Sequence, residues 1–449
     1  MLKKLFGFDS TKTTVRTEII AGLTTFFTMA YILAVNPRMF VDLGMPEGAV
    51  FTSTAVAAII GCLAMAFIGK LPFGLAPGMG LNAFFVYTVC LGMGYSWQFA
   101  LTAVLIEGLI FIVLTLTNVR EAIVNAIPES LRNAIGAGIG LFIAFLGLQS
   151  AGIVVSAASV AEIKNEAGQI VGTSLDSGTI VALGDITSGP ALLALIGIVI
   201  TGYLYAKNVT GAILIGVLLT MVIGIPMEVT QFKGMVSEPG SISPIFCKFQ
   251  FDKIWSLDML IVVFTFLFID MFDTVGTLVG VCTKAKLVDN KGNIHRIKHA
   301  FMADSIATTA GAMLGTSTTT TYVESASGVA QGGRSGLTAF VVGMCFVLAL
   351  FFSPLFLSIP AAATAPALVI VGLLMMEPVK NIPWSDYSES LPAFICLISM
   401  PLTYSISNGI LLGMIAYVLM NIITGKRNKV SWTMLILAIL FVLKFIYIK

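Results

Sequence analysis

Charge is what this chain has least of. Of its 449 residues only 11% are Asp, Glu, Lys or Arg, while 57% are hydrophobic; a soluble domain carries roughly 25% charged residues. That excludes an ordinary globular enzyme and points to a multi-pass protein of the cell membrane. The net charge of +2 gives no field that would draw in nucleic acid, so no nucleic-acid partner is expected. Two histidines, His295 and His299, sit in a basic loop, and the six cysteines form no CxxC pair. A metal centre or disulfide framework is therefore not expected, nor any cofactor. No GxxxxGK[ST], HExxH or GxGD string occurs, which argues against an ATP-driven pump and the common intramembrane proteases. No short signal core with a small-residue cleavage site follows MLKKLFGFDSTKTTVR, so the first apolar helix is expected to be retained.

Long apolar runs are abundant. A membrane helix needs about 20 such residues. Spans are predicted near 17–36, 50–69, 80–94, 97–117, 131–150, 189–206 and 210–225. A second set follows near 257–282, 298–315, 323–331, 335–353, 364–376, 390–403 and 406–424. Lys3, Lys4, Lys12 and Arg16 precede the first span and place it with its start in the cytoplasm. With alternation, the basic loops around Lys70, Arg120, Arg132, Lys207, Lys284–Lys298, Arg334 and Lys426–Lys429 all fall on that side. The last run, 431–448, contains Lys444 and is either a fifteenth span or an interfacial helix.

Seven spans in each half, an odd number, means that the halves enter the membrane from opposite faces: an inverted repeat. The third span of each half is short and follows an irregular stretch, GLAPGMGLNAFF in one and GTSTTTTYVESASG in the other. Paired interrupted segments of this kind point to a transporter's binding site. In the first, Pro77 and the glycines allow an extended piece ahead of a half-helix beginning near Leu81, with Asn82 in its first turn, where its amide either caps the helix or meets a ligand. In the second, Thr318 to Thr321 favour extended backbone, and Glu324 follows at the start of another half-helix.

Carboxylates at bilayer depth are costly and survive facing a cavity, a partner or a substrate. Asp270 and Asp273 lie three apart in FTFLFIDMFDTVGTL, on nearby faces of one helix. They are candidate proton carriers with Glu324, and Asp270 is the better candidate for a purely structural role. Glu107 and Asp304 are also embedded in apolar runs, and read more readily as internal hydrogen-bond anchors than as ligand contacts. Carboxylates accept from N–H groups, an amide does both, and Phe84, Phe85 or Tyr322 could stack on a flat ring. The residues alone thus indicate a small planar polar solute. They do not separate a nucleobase from another such solute, and an intramembrane aspartyl enzyme using Asp273 and Glu324 remains the alternative.

The strings AGLTTFFTMAYILAVNP, GLAPGMGLNAFF, FIDMFDTVGTL and TSTTTTYVESASGVAQGGRSGLTA resemble the motifs of the nucleobase–ascorbate transporter family, in its adenine/guanine/hypoxanthine permease branch. The resemblance implies an all-α membrane fold of about fourteen helices in two inverted seven-helix repeats, with short antiparallel strands meeting in spans 3 and 10. It implies a cytoplasmic segment 1–16, a core domain of 17–117 and 255–353, a gate domain of 118–230 and 354–424, and a C-terminal apolar segment 425–449. It implies proton symport of a purine nucleobase by alternating access of an elevator-like kind, with homodimers packed in the lipid through the gate domains. Asp273 matches the span-8 acid of the family's uracil transporters, its shorter arm suiting a bulkier purine. Glu324 matches the span-10 acid, and Asn82 the span-3 polar position of the purine branch. Phe84 is then a stacking partner, and Tyr322 with the backbone into Ser325 flanks the base.

Overall fold

The computed structural model describes residues 2–117, 128–156, 160–164, 170–175, 181–284, 296–432, 434–435, 438–439 and 442. Arg120, Lys286, Lys291, His295, Lys444 and most of the run 431–448 lie outside the described residues.

After a short helix α1 (Leu2–Phe6), the first span is a broken pair, α2 (Val15–Met29) and α3 (Ile32–Val41). Thr14 starts it by accepting from the Thr17 amide. The break comes just after Thr28, whose hydroxyl takes the carbonyls of Thr24 and Thr25, a bond that bends helices. Pro37 in α3 withholds a further amide. The interruption sets Tyr31 between the two pieces, in the interior.

Helix α4 (Glu47–Ala64) runs on as a π-turn over Met65–Gly69. The third span opens with strand β1 (Leu75–Pro77), then α5 (Met79–Ala83), then a π-helical stretch Phe84–Gly92. Spans four and five are α6 (Trp97–Thr117) and α7 (Glu129–Ser150). The acidic loop beyond holds two antiparallel strand pairs, β2 (Val154–Ser156) with β5 (Val181–Leu183) and β3 (Val160–Lys164) with β4 (Ile170–Leu175). Helices α8 (Gly189–Ala206) and α9 (Ala212–Gly224) complete the first half.

The second half repeats the order. It runs α10 (Leu257–Lys284), α11 (Ile297–Leu314), then strand β6 (Thr319–Thr321) with α12 (Ser325–Ala330) as the interrupted span. Helix α13 (Gly336–Ala349) continues through a 3₁₀ turn into α14 (Ser353–Leu357), and α15 (Ala361–Met375), α16 (Tyr387–Leu402) and α17 (Ile406–Ile423) follow. All fourteen predicted spans have a counterpart. Among the described residues seven helices are long and apolar enough to cross a bilayer, and three shorter apolar helices accompany them.

Two sets of helices pack among themselves. One comprises α2, α4, α6, α10, α11 and α13; the other α7, α8, α9, α15, α16 and α17. The two interrupted spans meet inside the first set. Strand β1 pairs antiparallel with β6, Leu75 opposite Thr321 and Pro77 opposite Thr319. A proline-limited segment and a β-branched one, each too short to hold itself, thus satisfy one another's backbone among buried residues.

Candidate functional site

The strand pair delivers two half-helices to one place. The Gly78 amide donates to the Thr318 carbonyl and the Tyr322 amide to the Gly74 carbonyl, both at 3.0 Å, extending the pairing at each end. At the far end Ser325 accepts from the Gly74 amide at 3.0 Å, and the Tyr322 hydroxyl donates to the Pro77 carbonyl at 2.6 Å. Helix α5 starts at Met79, two residues before the predicted Leu81, and Asn82 falls in its first turn as expected. Glu324 occupies the residue that leads into α12.

Helix α10 packs against β6, α5 and α12. That contact brings Asp273 beside the junction: a methyl group on Gly78 would sit 3.9 Å from Asp273 Oδ2. Asp273 is within electrostatic reach of Asp270 and Glu324, and Tyr31 and Tyr322 each of both Asp273 and Glu324. Among the described residues nothing donates a hydrogen bond to the Asp273 carboxylate. Glu324 is held: Tyr31 Oη donates to its Oε1 at 2.8 Å, and both side chains are buried. One helix turn on, Ser327 and Thr28 share a hydroxyl contact of 3.0 Å that ties α12 to α2.

The other acids lie deeper, each on a hydroxyl. Thr318 donates to Glu107 Oε2 at 2.7 Å. The Thr274 hydroxyl lies 3.1 Å from Asp270 Oδ1, 3.2 Å from Asp304 Oδ2 and 2.7 Å from the Thr320 hydroxyl. These acids therefore stitch α6, α10 and α11 to the threonine run. Asn82 is fully buried; Ser317 donates to its Oδ1, and its Nδ2 has no partner among the described residues. Phe84 packs edge-on to Phe266, ring centres 4.7 Å apart, and both rings are buried.

Asp273, Glu324, Tyr322, Ser325 and Asn82 thus belong to one junction, with Asp270 one helix turn behind Asp273. Sequence reasoning assigned no role to Tyr31, Thr28, Ser317 or Thr274. A phenol amid FTMAYILAVNP was the available signal for Tyr31, since a buried Tyr hydroxyl needs a partner. Chemically, acceptors from Asp273 and Glu324 and an unengaged amide donor from Asn82 can hold a small flat molecule that offers N–H groups and a ring acceptor.

The fold and this junction define a multi-pass membrane transporter built on inverted repeats with paired interrupted helices. Solved structures support the fold: the transmembrane domain of a cyanobacterium bicarbonate transporter, BicA, aligns with TM-score 0.60 at 17% identity, covering 90% of this chain and 97% of that one. SLC26A9 aligns at 0.63 and 11% identity, covering 94% and 68%. The family model described as Permease family, for xanthine/uracil permeases, matches residues 16–412. The chain belongs to that family, the nucleobase–ascorbate transporters, which are permeases and not enzymes. The guanine/hypoxanthine permease PbuG of Bacillus subtilis is 46% identical over 100% of both chains. The adenine permease AdeP of Escherichia coli is 40% identical over 100% of this chain and 96% of that one.

Proposed function

We propose that this permease takes up purine nucleobases by proton symport, with the base held at the junction of the two interrupted spans. The observation that carries this reading is the approach of Asp273 and Glu324 to each other beside the β1–β6 pair, in a chain whose full-length relatives are named as guanine/hypoxanthine and adenine permeases. Glu324 and Asp273 accept from the base's N–H groups, and Asn82 offers its free amide hydrogens to a ring nitrogen or carbonyl. Tyr322 and the Ser325 backbone flank the ring, and Phe84 with Phe266 forms the apolar wall. A carboxyl that must lose its water to enter this site is a natural place to carry a proton with the solute. Asp273, with no donor of its own among the described residues, fits that part best, and Asp270 is held in reserve behind it.

The two helix sets correspond to a core (17–117 and 255–353) that carries the site and a gate (118–230 and 354–424) against which it moves. Rigid displacement of one set past the other would expose the junction first to one side of the membrane and then to the other, in an elevator-like cycle. Homodimers through the gate helices fit a set that must stay still while the core moves.

The deciding experiment is uptake of radiolabelled adenine, guanine, hypoxanthine and uracil in cells lacking their own permeases, with and without an uncoupler. Purine uptake that collapses with the uncoupler, and in Asp273→Ala and Glu324→Ala while both variants reach the membrane, is expected. Uptake unaffected by either substitution would remove the site. Uptake indifferent to the uncoupler would remove the proton.

A further inference from the structure

The two site acids are not equivalent, and the residue that distinguishes them comes from the first span. We propose that Tyr31 is a positioning residue that commits Glu324 to accepting from the substrate and leaves Asp273 as the carboxyl that takes the proton. The inference rests on the purine-symport reading above and assigns the two acids different parts in it.

The argument starts from hydrogen-bond inventory. A phenol has one hydrogen to give. Tyr31 gives it to Glu324 Oε1, at 2.8 Å, and both groups are shut away from solvent. That bond turns the Glu324 carboxyl so that its remaining acceptor capacity faces the junction, where an N–H of the base can reach it. The geometry is fixed from both sides. Tyr31 sits at the gap between α2 and α3, where Thr28 has loosened the helix. Glu324 is tied down through the Thr28–Ser327 contact one turn along. Asp273, on α10, has no such donor among the described residues, although Tyr31, Tyr322, Glu324 and Asp270 all lie within its electrostatic reach. Tyr322 cannot serve as a second donor, because its own hydroxyl is used on the Pro77 carbonyl. Two neighbouring acids facing one substrate repel when both are charged, so the one that already receives a donor is placed to accept from the base and the other is left to take the proton.

Tyr31→Phe keeps the ring and removes the bond. With the donor gone, Glu324 competes with Asp273 for the proton, and a protonated Glu324 is a poorer acceptor. Uptake KM for the purine should therefore rise by about tenfold, the worth of one hydrogen bond to a charged group. The rise should grow toward acidic pH, where wild-type KM stays flat, with Vmax and membrane abundance within about twofold of wild type. A merely structural Tyr31 would lower abundance or Vmax and leave the pH profile of KM in place. That outcome, or an unchanged KM, overturns the proposal.

A second arm separates this inference from the reading it rests on. Binding of guanine, hypoxanthine and adenine to purified Glu324→Gln protein, measured by calorimetry, should be weaker than wild type, and adding Tyr31→Phe should weaken it no further, since the partner is already gone. Glu324→Gln binding like wild type means that the purine site itself is misplaced. Weakened Glu324→Gln with an independent further loss from Tyr31→Phe keeps the site and sinks the role given to Tyr31.

Discussion

Tyr322 and Pro77 stand 245 positions apart in the chain, and the Tyr322 hydroxyl donates to the Pro77 carbonyl at 2.6 Å. The bond fastens the second interrupted span to the first at the point where β1 gives way to α5. Pro77 has no amide to contribute, so this carbonyl is its one main-chain group able to join the halves. Tyr322→Phe keeps the ring that flanks the proposed ligand but leaves a buried carbonyl without its donor, a cost of about 1–3 kcal/mol. Thermal unfolding of the purified variant should fall by several degrees while the KM for purine changes little. Unfolding at the wild-type temperature would show that the bond does not hold the junction.

Gly78 is a point of close approach in that junction. Its backbone is ordinary, so the reason for glycine is space: an added Cβ would lie 2.6 Å from Thr320 Cγ2 and 3.1 Å from Leu81 Cδ1, with Asp273 Oδ2 just beyond. The Thr320 methyl belongs to the paired strand and has nowhere to retreat. Gly78→Ala should displace β6 or α5 and impair purine uptake severely with membrane abundance near normal. Full uptake by Gly78→Ala would mean that the strand pair is looser than its hydrogen bonds indicate.

Glu18 carries a load that no binding argument would find. It is fully buried near the start of α2, where its Oε1 accepts from the Arg334 amide at 2.9 Å. Its Oε2 accepts from the amides of Ser335 and Thr338 at 3.3 and 3.2 Å and from the Thr338 hydroxyl at 2.6 Å. One carboxylate thus caps the first turn of α13 from another helix. Glu18→Ala would orphan these donors together, at a cost of about 3 kcal/mol or more. Little protein should reach the membrane, and the fraction that does should bind purine with wild-type affinity. An Ala variant that is abundant but does not bind would move Glu18 from scaffold to site.

Helix count and pairing of the halves were legible because lipid forces long uncharged runs and because odd-numbered repeats invert. The interrupted spans were legible for the same reason: Pro77 and the run Thr318 to Thr321 cannot continue a helix comfortably. Asp273 and Glu324 stood out because bilayer depth makes charge expensive. What the sequence did not yield are partners fixed only by packing. Tyr31 looks like any aromatic in a span until α2 breaks beside it, and Thr274 looks like one more threonine until Asp270, Asp304 and Thr320 surround it. Glu18 was hidden for another reason. It follows the basic N-terminal segment, where an acid attracts no notice, and its donors are more than 300 residues away.

The remaining prediction concerns acid stability and lies outside the membrane helices. Asp386 caps α16 and receives Lys426 Nζ at 2.8 and 2.7 Å on its two oxygens, with the Ser388 hydroxyl at 2.7 Å and the Ser388 amide at 3.1 Å. The bond from Lys426, then that from Ser388, holds its carboxyl well below the usual aspartate range. The sign follows from linkage: a carboxyl lowered in the folded state stabilises fully above its unfolded value of about 3.9, and that contribution is lost as pH falls through the folded value. Near neutral pH, Lys426→Met should alter the unfolding temperature little, because the pair is exposed and screened. Below about pH 4 that small gap should close, the wild-type unfolding temperature declining slightly more steeply than that of Lys426→Met, which has less to lose. The Ser388 bonds persist in the variant, so its curve should flatten only in part. Parallel curves through the acid range would show that Lys426 contributes nothing to holding the end of α17 against the start of α16.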